Sequence, residues 1–263
     1  MSTFSLSAEQ LSAVVELLPP TCTDACGAQV TAGLARYVDE LYRGNPRFGL
    51  IAKDDAADRS RLFSRHILDS LAVLPILAEI LTAEPRRRVY DLGSGAGLPG
   101  IPVALALAAG TEDAVPLETV LVERRTKRVN FLRGVVPLVL GAFTAGGTVY
   151  APPSIRVAAV DADDLGGTEA TQLQRSMVVF RAYQQTSEAL LASLARTFPP
   201  GTPVCALKGR STSVEMERQL VTASPSADPA STRAYPVQVP GEDVERFALV
   251  WRTAAAPSKG GEQ

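Results

Sequence analysis

The segment Tyr90-Asp91-Leu92-Gly93-Ser94-Gly95-Ala96-Gly97-Leu98-Pro99-Gly100 constrains this chain more than any other. A short apolar run, Arg88 to Leu92, ends beside an acid and opens at once into glycines, and residues 101–109 read as a helix. A strand, glycine loop and helix in that order bring backbone close to a ligand at the carboxyl edge of a sheet. Glycine is needed there because a Cβ would clash and because some positions require positive φ. The same texture continues downstream. Strands over 118–123, 154–160, 176–181 and 204–208 alternate with helices over 125–142, 186–196 and 212–222. Such alternation implies a parallel sheet with right-handed crossovers. Two last strands, 233–239 and 246–252, flank Pro240-Gly241-Glu242 and are expected to pair as an antiparallel hairpin. The fold class is therefore α/β, a mostly parallel seven-stranded sheet with helices on both faces.

Residues 1–84 read as a helical extension packed on the domain at 85–253, with 254–263 as a frayed tail. Ser7-Ala8-Glu9-Gln10 starts a first helix that Pro19-Pro20 ends. A second spans roughly 26–43 and is expected to stop at the turn signal Gly44-Asn45-Pro46. A third spans roughly 55–81, where Pro75 should kink or split it.

Composition removes several kinds of chemistry. The 263 residues are 46% hydrophobic and 21% charged, an ordinary globular balance, and the net charge of −2 excludes a basic coat for nucleic acid. One histidine, His66, and three cysteines, Cys22, Cys26 and Cys205, cannot build a zinc finger or a three-histidine zinc site, so no metal is expected. A hydrolase relay would have to use His66 alone. The odd cysteine count in a long chain reads as reduced thiols. The opening Met-Ser-Thr-Phe-Ser-Leu has no basic region and no long apolar run, so it is no secretory signal. Glycine, proline or charge interrupts the apolar stretches before the roughly 18 residues a membrane span needs. The expectation is a cytoplasmic protein.

Two cofactors compete for the glycine loop. Gly95-Ala96-Gly97-Leu98-Pro99-Gly100 satisfies the dinucleotide pattern G-x-G-x-x-G. That motif, however, starts three residues past the strand end at Leu92, and Asp91 would repel a pyrophosphate. The same acid suits the sulfonium and amino groups of S-adenosylmethionine. Glu123, ending the second strand, sits where a carboxylate accepts from both hydroxyls of a ribose. A dinucleotide-dependent oxidoreductase and a ligand-free glycine turn both stay open on these features alone.

Asp91-Leu92-Gly93-Ser94-Gly95-Ala96-Gly97-Leu98-Pro99-Gly100-Ile101-Pro102 resembles the signature of the RsmG (GidB) family of bacterial 16S rRNA methyltransferases. Further matches follow in order: Arg65-His66-Ile67-Leu68-Asp69-Ser70-Leu71, Lys127-Arg128, Phe131-Leu132, Arg181-Ala182, Ala206-Leu207-Lys208-Gly209, and Val237-Gln238-Val239-Pro240-Gly241 with Glu245-Arg246. The resemblance covers roughly residues 40–252. It implies the Rossmann-like S-adenosylmethionine-dependent methyltransferase fold and transfer of a methyl group to N7 of one guanosine in 16S rRNA of the small ribosomal subunit. Cofactor positions carry over onto Gly93, Leu98, Ala162-Asp163 and Arg181. With the loop itself, the expected cofactor set is Asp91, Gly93, Gly95, Gly97, Leu98, Glu123, Ala162, Asp163 and Arg181. The family usually has Asn-Leu-Thr where this chain has Gly49-Leu50-Ile51.

Guanine N7 carries an unshared pair at neutral pH, so methylation there needs alignment and no general base; alignment alone supplies on the order of 7–11 kcal/mol. The purine gains positive charge, and Asp69 is a candidate to favour it if its helix faces the cofactor. His66 reads either as a packing residue between helices and sheet or as a contact to phosphate or base. The RNA-binding set is Arg65, Arg124, Arg125, Lys127, Arg128, Lys208 and Arg210, drawn from clusters in a chain with 22 arginines and 4 lysines. Arginine suits bidentate phosphate contacts, although a solvated helix face gives the same pattern. A monomer acting on 16S rRNA, with no membrane partner, completes the expectation.

Overall fold

The computed structural model describes residues 3–84, 86, 88–108, 117–145, 151–169, 171–209 and 211–255. Arg210, Arg87, residues 256–263 of the expected tail, and the segments 109–116 and 146–150 lie outside the described residues. The strands are β1 (Arg88–Leu92), β2 (Glu118–Val122), β3 (Ser154–Ala158), β4 (Ser176–Arg181), β5 (Pro203–Lys208), β6 (Ala227–Val237) and β7 (Arg246–Thr253). They form one sheet in the order β3-β2-β1-β4-β5-β7-β6. Strands β1 to β5 pair in parallel, and β7 runs antiparallel to both β5 and β6. Chain order reverses between β1 and β4, and a ligand crevice opens at the carboxyl ends of strands at such a switch point.

Side-chain alternation divides the core into two layers. Val89, Leu121, Met177, Val179, Cys205, Ala248 and Val250 point to one face of the sheet. Their neighbours Tyr90, Val120, Val178, Phe180, Ala206, Leu249 and Trp251 point to the other. Both faces are apolar because both are covered, as parallel sheets require. The second face packs against α8 (Leu165–Glu169), α9 (Glu188–Thr197) and α10 (Ser211–Ala223) through Leu165, Leu191 and Val221. The first face packs against α6 (Gly100–Ala108) and α7 (Thr126–Thr144), with the N-terminal helices in the same core.

Those helices are α1 (Ala8–Leu17), α2 (Asp24–Phe48), α3 (Arg59–Leu62), α4 (Asp69–Leu71) and α5 (Leu74–Ala83). Helix α1 begins in a reciprocal cap: Gln10 N donates to Ser7 Oγ and Ser7 N to Gln10 Oε1. Helix α2 runs through Gly44-Asn45-Pro46 instead of stopping there. Gly44 serves packing, since a Cβ on it would stand 2.9 Å from Phe131 Cε2 of α7. The turn comes at Gly49, whose φ of 62° gives the left-handed cap that ends α2. The expected third helix is divided. A π-helical turn spans Phe63–Leu68 between α3 and α4, and a break follows before α5, with Pro75 in its first turn. By length and composition the stretch Arg59–Ala83 is apolar enough to cross a bilayer, contrary to the expectation from sequence; half of its most apolar window is buried inside the fold. Strand β6 starts six residues earlier than expected, with an irregularity between Asp228 and Arg233 that accommodates the extra length.

Helix α6 starts unusually close to the sheet. A Cβ on Gly100 would lie 2.6 Å from Asp91 Oδ2 and closer still to Leu121 Cδ2. Gly100→Ala is expected to cost about 1–3 kcal/mol through overpacking. Gly134→Ala, where a Cβ in α7 meets nothing within 4 Å, is expected to gain about 0.5–1 kcal/mol. Urea unfolding of the two variants checks both signs; a Gly100→Ala midpoint at or above wild type would refute the close approach.

Candidate active site

Two buried carboxylates at adjacent strand ends hold the glycine loop. Asp91 is fully buried, and its Oδ2 accepts from Gly100 N at 3.0 Å, at the N-terminus of α6. Among the described residues its Oδ1 has no hydrogen-bond partner, and burial pushes the carboxyl up to about 7. Glu123, 4% exposed, accepts from Gly95 N at 3.1 Å through Oε2 and from Arg125 N at 2.8 Å through Oε1. Inside the loop, Ser94 Oγ donates to Asp91 O at 2.8 Å and Ser94 N to Val122 O at 3.0 Å. From the other side, Tyr37 Oη of α2 donates to Ala96 O at 2.8 Å, both groups being buried. The N-terminal helices thus brace the loop directly.

In front of the loop lies a cleft of about 150 Å³, lined by Gly93, Glu123, Arg124, Arg128, Ala162 and Tyr183 among others. Gly93 has φ of 64°, and the Tyr183 ring lies against its Cα where a side chain would otherwise stand. Tyr183 in turn packs edge-on to Phe180 of β4, with ring centroids 5.9 Å apart. Arg128 Nη1 stands 3.7 Å from Glu123 Oε2, and Arg124 Nη1 pairs with Asp161 Oδ2 at 2.9 Å.

A second cavity of about 680 Å³ adjoins the first, and Ala182 and Gln184 belong to both linings. Ala182 has φ of 51°, an uncommon conformation for a residue with a Cβ, and it sits where the two spaces meet. The cavity wall carries four cations, Arg65, Arg181, Lys208 and Arg246, against three acids, Asp55, Asp69 and Glu242. Asp69 is the hub. Its Oδ2 takes Arg181 Nη1 at 2.9 Å, and its Oδ1 takes Arg246 Nε from the start of β7. Arg181 Nη2 also faces His66 Nδ1 at 3.1 Å. The π-helical turn carries Arg65 and His66 and passes directly into Asp69, so one widened turn aims three polar side chains at the cavity. Lys208 Nζ pairs with Glu217 Oε2 at 2.6 Å and donates to Thr186 Oγ1 at 2.9 Å.

The expected site residues fall into distinct places. Gly93, Glu123 and Ala162 line the first cleft. Asp91, Gly95, Gly97 and Leu98 are buried behind the loop, where they shape it. Asp163 turns outward and accepts from Ser193 Oγ of α9; its neighbour Asp161 lines the cleft instead. Arg181 lines the second cavity with Asp69, Arg65 and Lys208. Arg124, Arg125 and Arg128 rim the first cleft, because the end of β2 opens directly onto it, while Lys127 is exposed on α7. Tyr37, Tyr183 and the Asp69–Arg246 contact were not singled out from sequence. The only signal for Tyr183 is an aromatic residue directly after Arg181-Ala182.

The rRNA small subunit methyltransferase G family model matches residues 31–142, the stretch from α2 through α7 that holds the glycine loop. A ribosomal RNA small subunit methyltransferase G from Treponema pallidum is 31% identical over 237 residues, covering 89% of this chain and 91% of the relative. The chain belongs to the rRNA small subunit methyltransferase G family. A member from Bordetella avium is 32% identical over 229 residues, covering 86% of each chain. One from Mycobacterium leprae reaches 44% over 101 residues, 38% of this chain and 35% of the relative. In this family member the site is assembled from segments that lie far apart in sequence.

His66 is held uncharged. Burial, then the Arg181 guanidinium beside it, lowers its pKa to about 4, with Asp55 and Asp69 opposing. In the unfolded chain the ring returns to about 6.5. A folded pKa below the unfolded one gives a contribution fully present above about pH 6.5 and lost as pH falls toward about 4. Because the chain has a single histidine, its ring-proton resonance titrates alone. That signal is expected to move near pH 4, and a midpoint at 6 or above would contradict the burial. His66→Gln is expected to reduce the loss of urea stability between pH 6.5 and 4.5.

Proposed function

We propose that the chain transfers the methyl group of S-adenosylmethionine to N7 of a guanosine in 16S rRNA. The observation that carries this reading is the pair of adjoining spaces at the switch point, one lined by Gly93 and Glu123 and one by Arg65, Arg181, Lys208 and Arg246, with Ala182 in both walls. The cofactor fits the residues present. Glu123 retains lone pairs for a ribose diol after its two amide bonds, and among the described residues Asp91 Oδ1 is a buried oxygen without a hydrogen-bond partner beneath the loop. Bound there, S-adenosylmethionine supplies an electrophilic methyl group.

The chain's own groups suit a reaction without proton transfer. His66 is a poor base, because its Nδ1 faces the Arg181 guanidinium and burial with that cation lowers its pKa to about 4. Asp69 is engaged by two arginines, so its part is to hold Arg181 and Arg246 in the cavity wall instead of facing a developing cation alone. Arg181, Arg246, Arg65 and Lys208 are the cations in that wall that a phosphodiester backbone can meet. With no proton to move, alignment is the main source of acceleration.

Small subunits lacking the modification, incubated with labelled S-adenosylmethionine, are expected to yield 7-methylguanosine in 16S rRNA; label absent from the rRNA would overturn the reading. Glu123→Ala is expected to raise the S-adenosylmethionine Kd roughly ten-fold or more, the loss of about 1.4 kcal/mol, in calorimetry. Asp69→Asn keeps the side-chain size but releases both arginines. Turnover is expected to fall at least roughly ten-fold, while cofactor affinity stays near wild type.

A further inference from the structure

A third space lies outside the joined cavities. It is a groove of about 980 Å³ between the C-terminal end of α2 and the segment 49–59, and it shares no lining residue with the other two. Its wall contains Arg43, Lys53 and Arg59 and no acid. The remaining surface is aromatic or apolar, from Tyr42, Pro46, Ile51 and Ala56.

The groove is built, not incidental. Arg59 lies over the Tyr42 ring, its guanidinium carbon 4.3 Å from the centroid, while its Nε is held by Asp39 Oδ1 at 2.6 Å. Asp39 is 1% exposed and also accepts from Phe4 N at 3.0 Å, so the acid that positions Arg59 lies beneath the wall. The opposite wall is fixed by Asn45. Its Oδ1 accepts from Leu50 N and Ile51 N, both at 2.8 Å, and its Nδ2 donates to Ile51 O at 3.0 Å. Arg43 lies 3.6 Å from Glu40 Oε1 and 3.9 Å from Asp39 Oδ2, which are loose contacts. Lys53 is exposed and has no side-chain partner among the described residues.

We propose that this groove is a second RNA-binding site that takes an unpaired stretch of rRNA flanking the target nucleotide. The proposal rests on the rRNA substrate proposed above. Single-stranded RNA presents phosphates for cations and flat bases for stacking, and a planar arginine–tyrosine pair between apolar walls offers both partners. Continuity with the reaction site comes from the chain itself. Lys53 and Ala56 face the groove, while Asp55 between them lines the 680 Å³ cavity. A strand whose target base occupies that cavity needs only to cross the segment 53–56 to enter the groove. Preorganised walls spare the ordering cost that a mobile basic loop would incur.

The test uses the full chain, unmodified small subunits and protein-free 16S rRNA. The double variant Arg43→Ala with Lys53→Ala is expected to raise the KM for subunits roughly three- to ten-fold, with kcat and S-adenosylmethionine affinity within two-fold. The dependence of log affinity on log salt should flatten by about 1.4, the loss of two single-strand phosphate contacts. Lys53→Glu, at an exposed side chain without a partner, provides a second variant and should weaken binding further. Arg196→Ala, on exposed α9, is the control expected to change nothing. An unchanged KM and salt slope in both groove variants would overturn the proposal. A defect confined to assembled subunits, absent with protein-free rRNA, would assign the groove to a ribosomal protein and overturn it as well. Filter binding of rRNA needs no turnover. A wild-type chain that binds rRNA through the groove yet transfers no label would refute the catalytic reading and leave the groove intact.

Discussion

The glycine loop stands on two buried carboxylates. Asp91 takes the first amide of α6 and Glu123 takes an amide in the middle of the loop, each from the end of a neighbouring strand. The positions of α6, the loop and the cleft in front of them all follow from those two bonds. The contact at Gly100 fixes how near α6 can come to β1 and β2. The contact at Gly95 sets the loop against the end of β2, where the cleft begins. A buried carboxylate is costly unless its lone pairs are answered, and the amides of Gly100, Gly95 and Arg125 answer part of that demand here.

The N-terminal helices enter the site through two polar contacts of different kinds. Tyr37 is buried among apolar neighbours on α2 and spends its one hydroxyl on the carbonyl of Ala96, behind the loop. Asp69 lies on the cavity side and joins the end of the π-helical turn to the end of β4 and the start of β7. Three remote parts of the chain therefore converge on one carboxylate. Because Asp69 is only 11% exposed, solvent screens these pairs less than surface ion pairs. His66 completes the arrangement as a neutral ring against Arg181, consistent with a site that positions charge and transfers no proton.

The sheet was legible because its strands are short apolar runs bounded by glycine, proline or charge, and the register then follows from alternation. Leu92 ends β1 where the glycines begin, and Lys208 ends β5 where Gly209 follows. Misreadings arose where one residue type serves two purposes. Gly44 reads as a turn, but it is glycine because Phe131 of α7 leaves no room for a Cβ, so α2 continues. Arg124, Arg125 and Arg128 rim the first cleft because the end of β2 opens onto it, a placement that their spacing in sequence does not signal. A single turn of 3₁₀ helix directs the Asp163 side chain toward α9. The pairing of Asp69 with Arg246 spans 177 residues, and no local pattern signals it.

The near-neutral net charge has a physical meaning at this site. Arg181 and Arg246 share Asp69, Arg65 pairs with Asp55 at 2.9 Å, Lys208 with Glu217, and Arg124 with Asp161. Each acid fixes the direction of a cation while cancelling its long-range field. A phosphate arriving in the cavity must then compete with a carboxylate, which disfavours indiscriminate binding and rewards a nucleotide whose groups meet several cations together. The groove beside it is arranged otherwise. Its supporting acid is buried beneath the wall, and Lys53 has no side-chain partner among the described residues, so its attraction for phosphate is open from the start. On the proposed reading, a cationic groove adjoining a charge-balanced cavity separates two tasks, gathering RNA with little regard to sequence and selecting the base.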